Sequence, residues 1–258
     1  MSALHIDLNA DLGETTAGNP VADDAAMLEM VSSANVATGF HAGDPHSIAG
    51  TLKAAAEAGV TVGAHVGYND AAGFGRRFID YNPNELADEV TYQIGALDAL
   101  ARANGTTVSY VKPHGAMYNA IVKDKAQAEG VIKGIKAFGD LPVMLLPGGV
   151  AVDVAKQSGL TVIREAFADR NYNPDGTLVS RKEANAVLGS ADEVVQRVLE
   201  VAQTGSITAV DDTKLEVDAQ SVCTHGDSPG AVKLLRGVVE APSLAAAAAR
   251  FVATLQCR

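Results

Sequence analysis

Short β-like runs alternate with helix-like stretches from one end of this 258-residue sequence to the other, and no other feature restricts the fold as much. Strands are expected at residues 4–8, 35–40, 60–64, 108–112, 143–146, 162–165 and 221–224. Most are near-continuous apolar or β-branched segments, the pattern of parallel strands covered on both faces. Helices are expected at 24–33, 45–58, 126–138, 150–157, 191–203, 229–239 and 243–255. The clearest helix starts at Asn82, with Pro83 at its first position and Glu85 completing a capping box. Leu86, Val90, Ile94, Leu97 and Ala101 form its apolar stripe, and Asn104-Gly105 ends it.

Seven strands, each followed by helical sequence, give an α/β fold: a single TIM-like (β/α) barrel with one unit fewer than the eight-stranded form. The competitor is an open doubly wound sheet. Its commonest dinucleotide-binding version carries G-x-G-x-x-G after the first strand, whereas this strand runs into Asn9-Ala10-Asp11-Leu12-Gly13-Glu14. No linker, low-complexity tract or charge block divides the chain, so residues 1–258 are expected to form one barrel domain.

Composition narrows the partners. A net charge of −11, with basic residues clustered only as the pairs Arg76-Arg77 and Arg181-Lys182, argues against nucleic acid. No apolar run approaches the length that spans a bilayer, and Met1–Asp7 lacks the start of a signal peptide. A cytoplasmic chain is expected, with Cys223 and Cys257 as free thiols.

The chemistry-bearing residues follow the strands. The segments are Asn9-Ala-Asp11-Leu-Gly-Glu14, Gly39-Phe-His41-Ala-Gly43-Asp44-Pro45-His46 and Gly63-Ala-His65-Val-Gly-Tyr68. Then come Lys112-Pro-His114-Gly-Ala-Met-Tyr118-Asn119, Arg164-Glu165-Ala-Phe-Ala-Asp169-Arg170 and Thr224-His225-Gly226-Asp227-Ser228-Pro229. Four of six histidines come directly after a strand. In parallel α/β architectures these ends converge on one mouth, where such folds place catalysis. Asp44 and Asp227 also read as helix N-caps. His5 reads as an ordinary strand residue, and His46 sits in a first helical turn. Asp11, His41, His65 and His114 suit a divalent metal, and equally suit acid–base work without one. Arg76 and Arg77, on a glycine-flanked loop, suit a carboxylate or phosphoryl ligand. There is no G-x-x-x-x-G-K-[ST] phosphate loop and no G-x-S-x-G elbow.

In this order, the strand-end segments resemble the LamB/YcsF family, and the loop Gly73-Phe-Gly-Arg76-Arg77 extends the match. Thr38 stands where the family pattern has cysteine, and Val66 where it has proline. The resemblance implies a seven-stranded barrel similar to the glycoside hydrolase/deacetylase superfamily. It implies the A subunit of the bacterial ATP-dependent 5-oxoprolinase, a hydrolase of cyclic amides. That enzyme cleaves 5-oxoproline (pyroglutamate) to L-glutamate with hydrolysis of ATP to ADP and phosphate, in a complex with subunits B and C. The missing phosphate loop suggests that ATP is used with the partner subunits. The expected catalytic residues are Asp11, Lys112, His114, Glu165, Asp169 and His225. Asn9, Glu14, Arg76, Arg77, Tyr118, Arg170 and Asp227 are expected to bind substrate, and Asp11, His41 and His65 to hold any metal.

Overall fold

The computed structural model describes residues 6–225 and 230–241. His5, Asp227, Cys257 and the helix expected at 243–255 lie outside the described residues. Seven parallel strands close a barrel in the order β1 (Asp7–Leu12), β2 (Ser33–Ala37), β3 (Thr61–Val66), β4 (Val108–Pro113), β5 (Val143–Leu145), β6 (Val162–Phe167) and β9 (Ser221–Cys223). The doubly wound alternative is thereby excluded. Two short strands, β7 (Ser206–Thr208) and β8 (Lys214–Glu216), pair antiparallel as a hairpin apart from the barrel.

Helices cover the outside. α1 (Asp24–Leu28), α2 (Pro45–Ala58), α3 (Pro83–Ala103), α5 (Lys125–Phe138), α6 (Val150–Gln157), α7 (Ala191–Thr204) and α8 (Ala231–Glu240) sit near their expected positions, and a short α4 (Gly115–Ala120) was not anticipated. The expected helix at 24–33 is cut to α1 because Ser33 already opens β2. Asp44 caps α2, accepting from the backbone N–H of His46 (3.1 Å) and Ser47 (3.0 Å), as its position before Pro45 suggested. Asn82 caps α3 through the Asn84 N–H (2.9 Å). Among the described residues the reciprocal capping box belongs to α7, where Ser190 and Glu193 form it, and not to Glu85.

Side chains alternate across each strand. The outward set, including Leu8, Leu12, Val36, Val62, Val111 and Val222, joins Ile48, Leu52, Leu86, Val90 and Ile94 in one continuous apolar cluster. The inward set differs in kind. Asp7, Asn9 and Asp11 of β1 face Ser33 and Asn35 of β2, Ser221 and Cys223 of β9, Lys112 of β4 and Glu165 of β6. The strands are therefore half polar, contrary to the near-continuous apolar runs expected. This is also why β1 begins at Asp7 and runs to Leu12 rather than spanning 4–8: its alternating polar residues resemble a loop. Tyr110, Met144 and Ile163 make a small separate apolar cluster. Gly63 gives Tyr110 its room, since a Cβ there would lie 2.2 Å from the ring.

Candidate active site

Hydrogen bonds join the inward side chains at successive levels of the barrel. At the lowest, the Asp7 carboxylate accepts from Ser32 (2.5 Å), Ser33 (2.8 Å) and Ser221 (2.5 Å). Burial pushes its pKa up, and these donors oppose the rise. Above it, Asn9 donates to Glu165 (3.1 Å) and Ser221 (2.7 Å), and Asn35 donates to Asn9 (2.7 Å) and Asp11 (2.8 Å). Tyr110 donates to Asn35 (2.6 Å). Apart from half-buried Ser32, all of these groups are buried, so each bond replaces water that folding removed.

Lys112 closes this network near the strand ends. Its Nζ lies 2.8 Å from Glu165 Oε1, 3.1 Å from Asp11 Oδ1 and 3.1 Å from Cys223 Sγ. Burial alone would lower its pKa, but the carboxylates of Asp11 and Glu165 hold it well above the usual lysine value. Asp11 follows the same logic: burial raises it, yet His65 and Lys112 hold it well below the usual carboxylate range. The Cys223 thiol is pushed up by burial, so it stays protonated and is no nucleophile.

Three histidines meet above Lys112. His65 Nε2 is 3.3 Å from Asp11 Oδ2 and 3.0 Å from His114 Nδ1. His41 stacks on His114 with ring centres 3.8 Å apart, and its Nε2 is 3.6 Å from Glu14 Oε1. Burial pushes His114 down to about 3, and burial lowers His41 as well. Glu14, His41, His65 and His114 bring ligand atoms within 4.8 Å of one another, a group able to hold a metal. The trio expected from the sequence, Asp11, His41 and His65, is spread over two such groups, with Asp11 Oδ2 3.3 Å from His65 Nε2. Glu14 and His114 join the two histidines, while Asp11 groups with Cys223 and His225.

The cluster packs directly on the backbone of the loop after β3. Gly75 has φ +62°, and a Cβ there would sit 2.7 Å from both His41 Cβ and His114 Cδ2. Gly75→Ala is expected to cost about 2–4 kcal/mol through left-handed strain and overpacking. Chemical denaturation checks this, and an unchanged midpoint would mean that the loop shifts freely.

On the far wall His225 stacks on Phe167 (5.4 Å between centres) and its Nδ1 lies 3.0 Å from both oxygens of Asp169. Asp169 also accepts from the His225 backbone N–H at 3.1 Å. Burial raises the Asp169 pKa, but the charge and hydrogen bonds of His225 outweigh it and hold the carboxyl low.

A cavity of about 620 Å³ opens over these groups. Asp11, Glu14, His65, Lys112, His114 and His225 line its floor, and Phe74, Arg76, Tyr118, Phe167 and Arg170 its sides. Arg170 is buried, donating to the carbonyls of Ala186 (3.2 Å) and Val179 (2.5 Å), and burial lowers its pKa to about 10, so it remains a cation. Tyr118 is pushed up by burial and the charge of Glu165 and keeps its proton.

Several expected residues do not reach the cavity. Asn9 and Glu165 lie below its floor, and Asp169 and His41 stand behind His225 and His114. Arg77 turns away and ion-pairs with Asp70, whereas its neighbour Arg76 lies over the Phe74 ring (4.8 Å) on the cavity side. His46 is exposed on α2. Thr38 is also clear of the cavity, donating to Gln93 (2.7 Å), so the departure there removes no cavity group. Not anticipated were Asn35, Tyr110, Phe74, Phe167 and Arg181. The period-two polarity of Asp7-Leu-Asn9-Ala-Asp11 and Ser33-Ala-Asn35 was the signal for the first.

Residues 6–256 match the LamB/YcsF family. A 5-oxoprolinase A subunit of Corynebacterium jeikeium is 70% identical over 234 residues, covering 90% of this chain and 91% of its own. Its counterpart of the same name in Kocuria rhizophila is 56% identical over 89% of this chain and 91% of its own. The crystal structure of a lactam utilization protein from Thermus thermophilus superposes with a TM-score of 0.88 at 38% identity, covering 93% of this chain and 96% of that one. With nearly its whole length matched, this chain belongs to the LamB/YcsF family.

Proposed function

We propose that this chain is a cytoplasmic, single-domain hydrolase subunit that opens the lactam ring of 5-oxoproline to give L-glutamate. In this reading it works in a complex with subunits B and C, which phosphorylate the lactam oxygen with ATP. The observation that carries the proposal is the convergence of Asp11, His65, Lys112, His114 and His225 on one cavity floor, in a chain 70% identical to a 5-oxoprolinase A subunit.

A lactam carbonyl is a weak electrophile, and moving the γ-phosphoryl of ATP onto its oxygen leaves ADP and an activated imidate. His225, oriented by Asp169, takes a proton from water as that water adds to the activated carbon. The carbon–nitrogen bond breaks as the nitrogen gains its proton, and a second water releases phosphate. Asp11, which stands between His65 and His225 on the floor, and the His65–His114 pair position the substrate for that attack, and Lys112 stabilises negative charge at the reacting centre. Arg76 and Arg170 hold the substrate carboxylate or phosphoryl group, which suits a guanidinium fork.

The test is glutamate release from 5-oxoproline, with and without ATP and the two partner subunits. The chain alone is expected to show little or no turnover, with activity restored by adding both partners and ATP. Asp11→Asn and His114→Ala should each lower that activity by about 10²-fold or more. ATP-independent hydrolysis of an acylated amine by the chain alone would instead identify a stand-alone hydrolase. Full complex activity in both variants would identify a substrate-delivery role.

A further inference from the structure

The two histidines that touch at the cavity floor have each committed one ring nitrogen to a backbone carbonyl. His65 Nδ1 lies 3.1 Å from the Lys112 oxygen, and His114 Nε2 lies 2.8 Å from the Phe74 oxygen. A carbonyl only accepts, so both of these nitrogens carry hydrogen. In neutral rings the lone pairs then sit on His65 Nε2 and His114 Nδ1, and those atoms face each other at 3.0 Å. Asp11 Oδ2 lies 3.3 Å from the first, and Glu14 Oε1 lies 3.9 Å from the second. With both rings neutral, two lone pairs and two carboxylate oxygens thus converge on one point. Such a meeting point needs a cation.

A proton shared by the two rings would satisfy that single contact. It would leave His41 unexplained, because both ring nitrogens of that buried side chain lack a hydrogen bond. His41 Nε2 faces the same Glu14 oxygen at 3.6 Å, beside the His114 ring. We propose that Glu14, His41, His65 and His114 bind one divalent transition-metal cation of the zinc class. Three imidazoles and one carboxylate are a donor set suited to zinc, cobalt or manganese. The carbonyls of Lys112 and Phe74 act behind His65 and His114 as the outer partners that fix the tautomer of metal-binding histidines. Asp11 supports the site from below, with Oδ1 held by Lys112 and Asn35 and Oδ2 turned toward His65.

The experiment strips the full-length chain with a chelator, titrates it with Zn²⁺ or Co²⁺ by calorimetry, and measures bound metal by mass spectrometry. One equivalent per chain is expected, with the visible absorption of protein-bound Co²⁺. Glu14→Gln should weaken binding by at least about 10-fold, and a His65→Gln/His114→Gln double variant, checked for folding by circular dichroism, should abolish it. His46→Ala, on the exposed first turn of α2, should bind as the unaltered chain does. Absence of stoichiometric binding, or binding that survives the double variant, overturns the proposal. So would imidazolium resonances at His65 or His114 in chain that takes up no metal. None of these readouts involves lactam turnover, so the site can fail while the ring-opening reading stands, and the reverse.

Discussion

Replacing Lys112 with methionine is expected to destabilise the protein by about 3–5 kcal/mol, the cost of removing one partner from a buried ion pair. Lys112 is 2% exposed and lies between the carboxyl groups of Asp11 and Glu165. Methionine fills the space of the alkyl stem without opening a large cavity, so the loss comes from charge left uncompensated. Glu165 is the more exposed to this effect, since it is fully buried and one of its carboxylate oxygens has no hydrogen bond even with lysine present. A urea unfolding curve measures the change, read at constant slope. Adding Glu165→Gln to Lys112→Met should recover part of the loss, because it removes one of the stranded charges. If the single variant unfolds at the midpoint of the unaltered protein, Lys112 is not the group that neutralises the barrel interior. The same substitution should also lower lactam turnover, but only the stability change separates its structural role from a catalytic one.

The polarity of that interior explains which parts of the molecule were legible in the sequence. The outward-facing residues of each strand are apolar and pack under amphipathic helices, so the seven strands and the long helices were visible from periodicity alone. β1 was placed three residues early because Asp7, Asn9 and Asp11 break its apolar run, and nothing local says that they point inward. α4 has six residues, too few for a helical stripe to stand out. The site was legible for a related reason: parallel strands deliver their ends to one mouth, so His65, Lys112, His114 and His225 had to converge. Depth was not legible. Glu165 follows Arg164 in a strand-end segment, yet two levels of hydrogen bonds place it below the cavity. Arg76 and Arg77 are adjacent in sequence and meet opposite fates, because Asp70, which also caps the turn before them, captures only Arg77.

Asp169→Asn is the substitution expected to damage the reaction most for the smallest change in shape. In the folded chain Asp169 accepts twice from His225, once from the ring and once from the backbone N–H. The carboxylate therefore keeps hydrogen on Nδ1 and leaves the lone pair on Nε2, the nitrogen free to act as base. Asparagine can still accept from the backbone with its carbonyl oxygen. Its amide nitrogen then faces Nδ1 and donates to it, which moves the ring hydrogen to Nε2 and removes the base. Turnover in the proposed complex with subunits B and C should fall by about 10²-fold or more, with KM little changed because Asp169 does not line the cavity. Stability should fall by only about 1–2 kcal/mol, the worth of a charged hydrogen bond replaced by neutral ones. A purely structural Asp169 predicts a different pattern: stability lost, and turnover reduced only in proportion to the protein that remains folded. His225→Gln provides the comparison, since it deletes the base while keeping a polar side chain beside Phe167. Equal losses of turnover in the two variants, without further loss when they are combined, would show that Asp169 and His225 act as one unit. Near-normal turnover in Asp169→Asn would remove the pair from the mechanism.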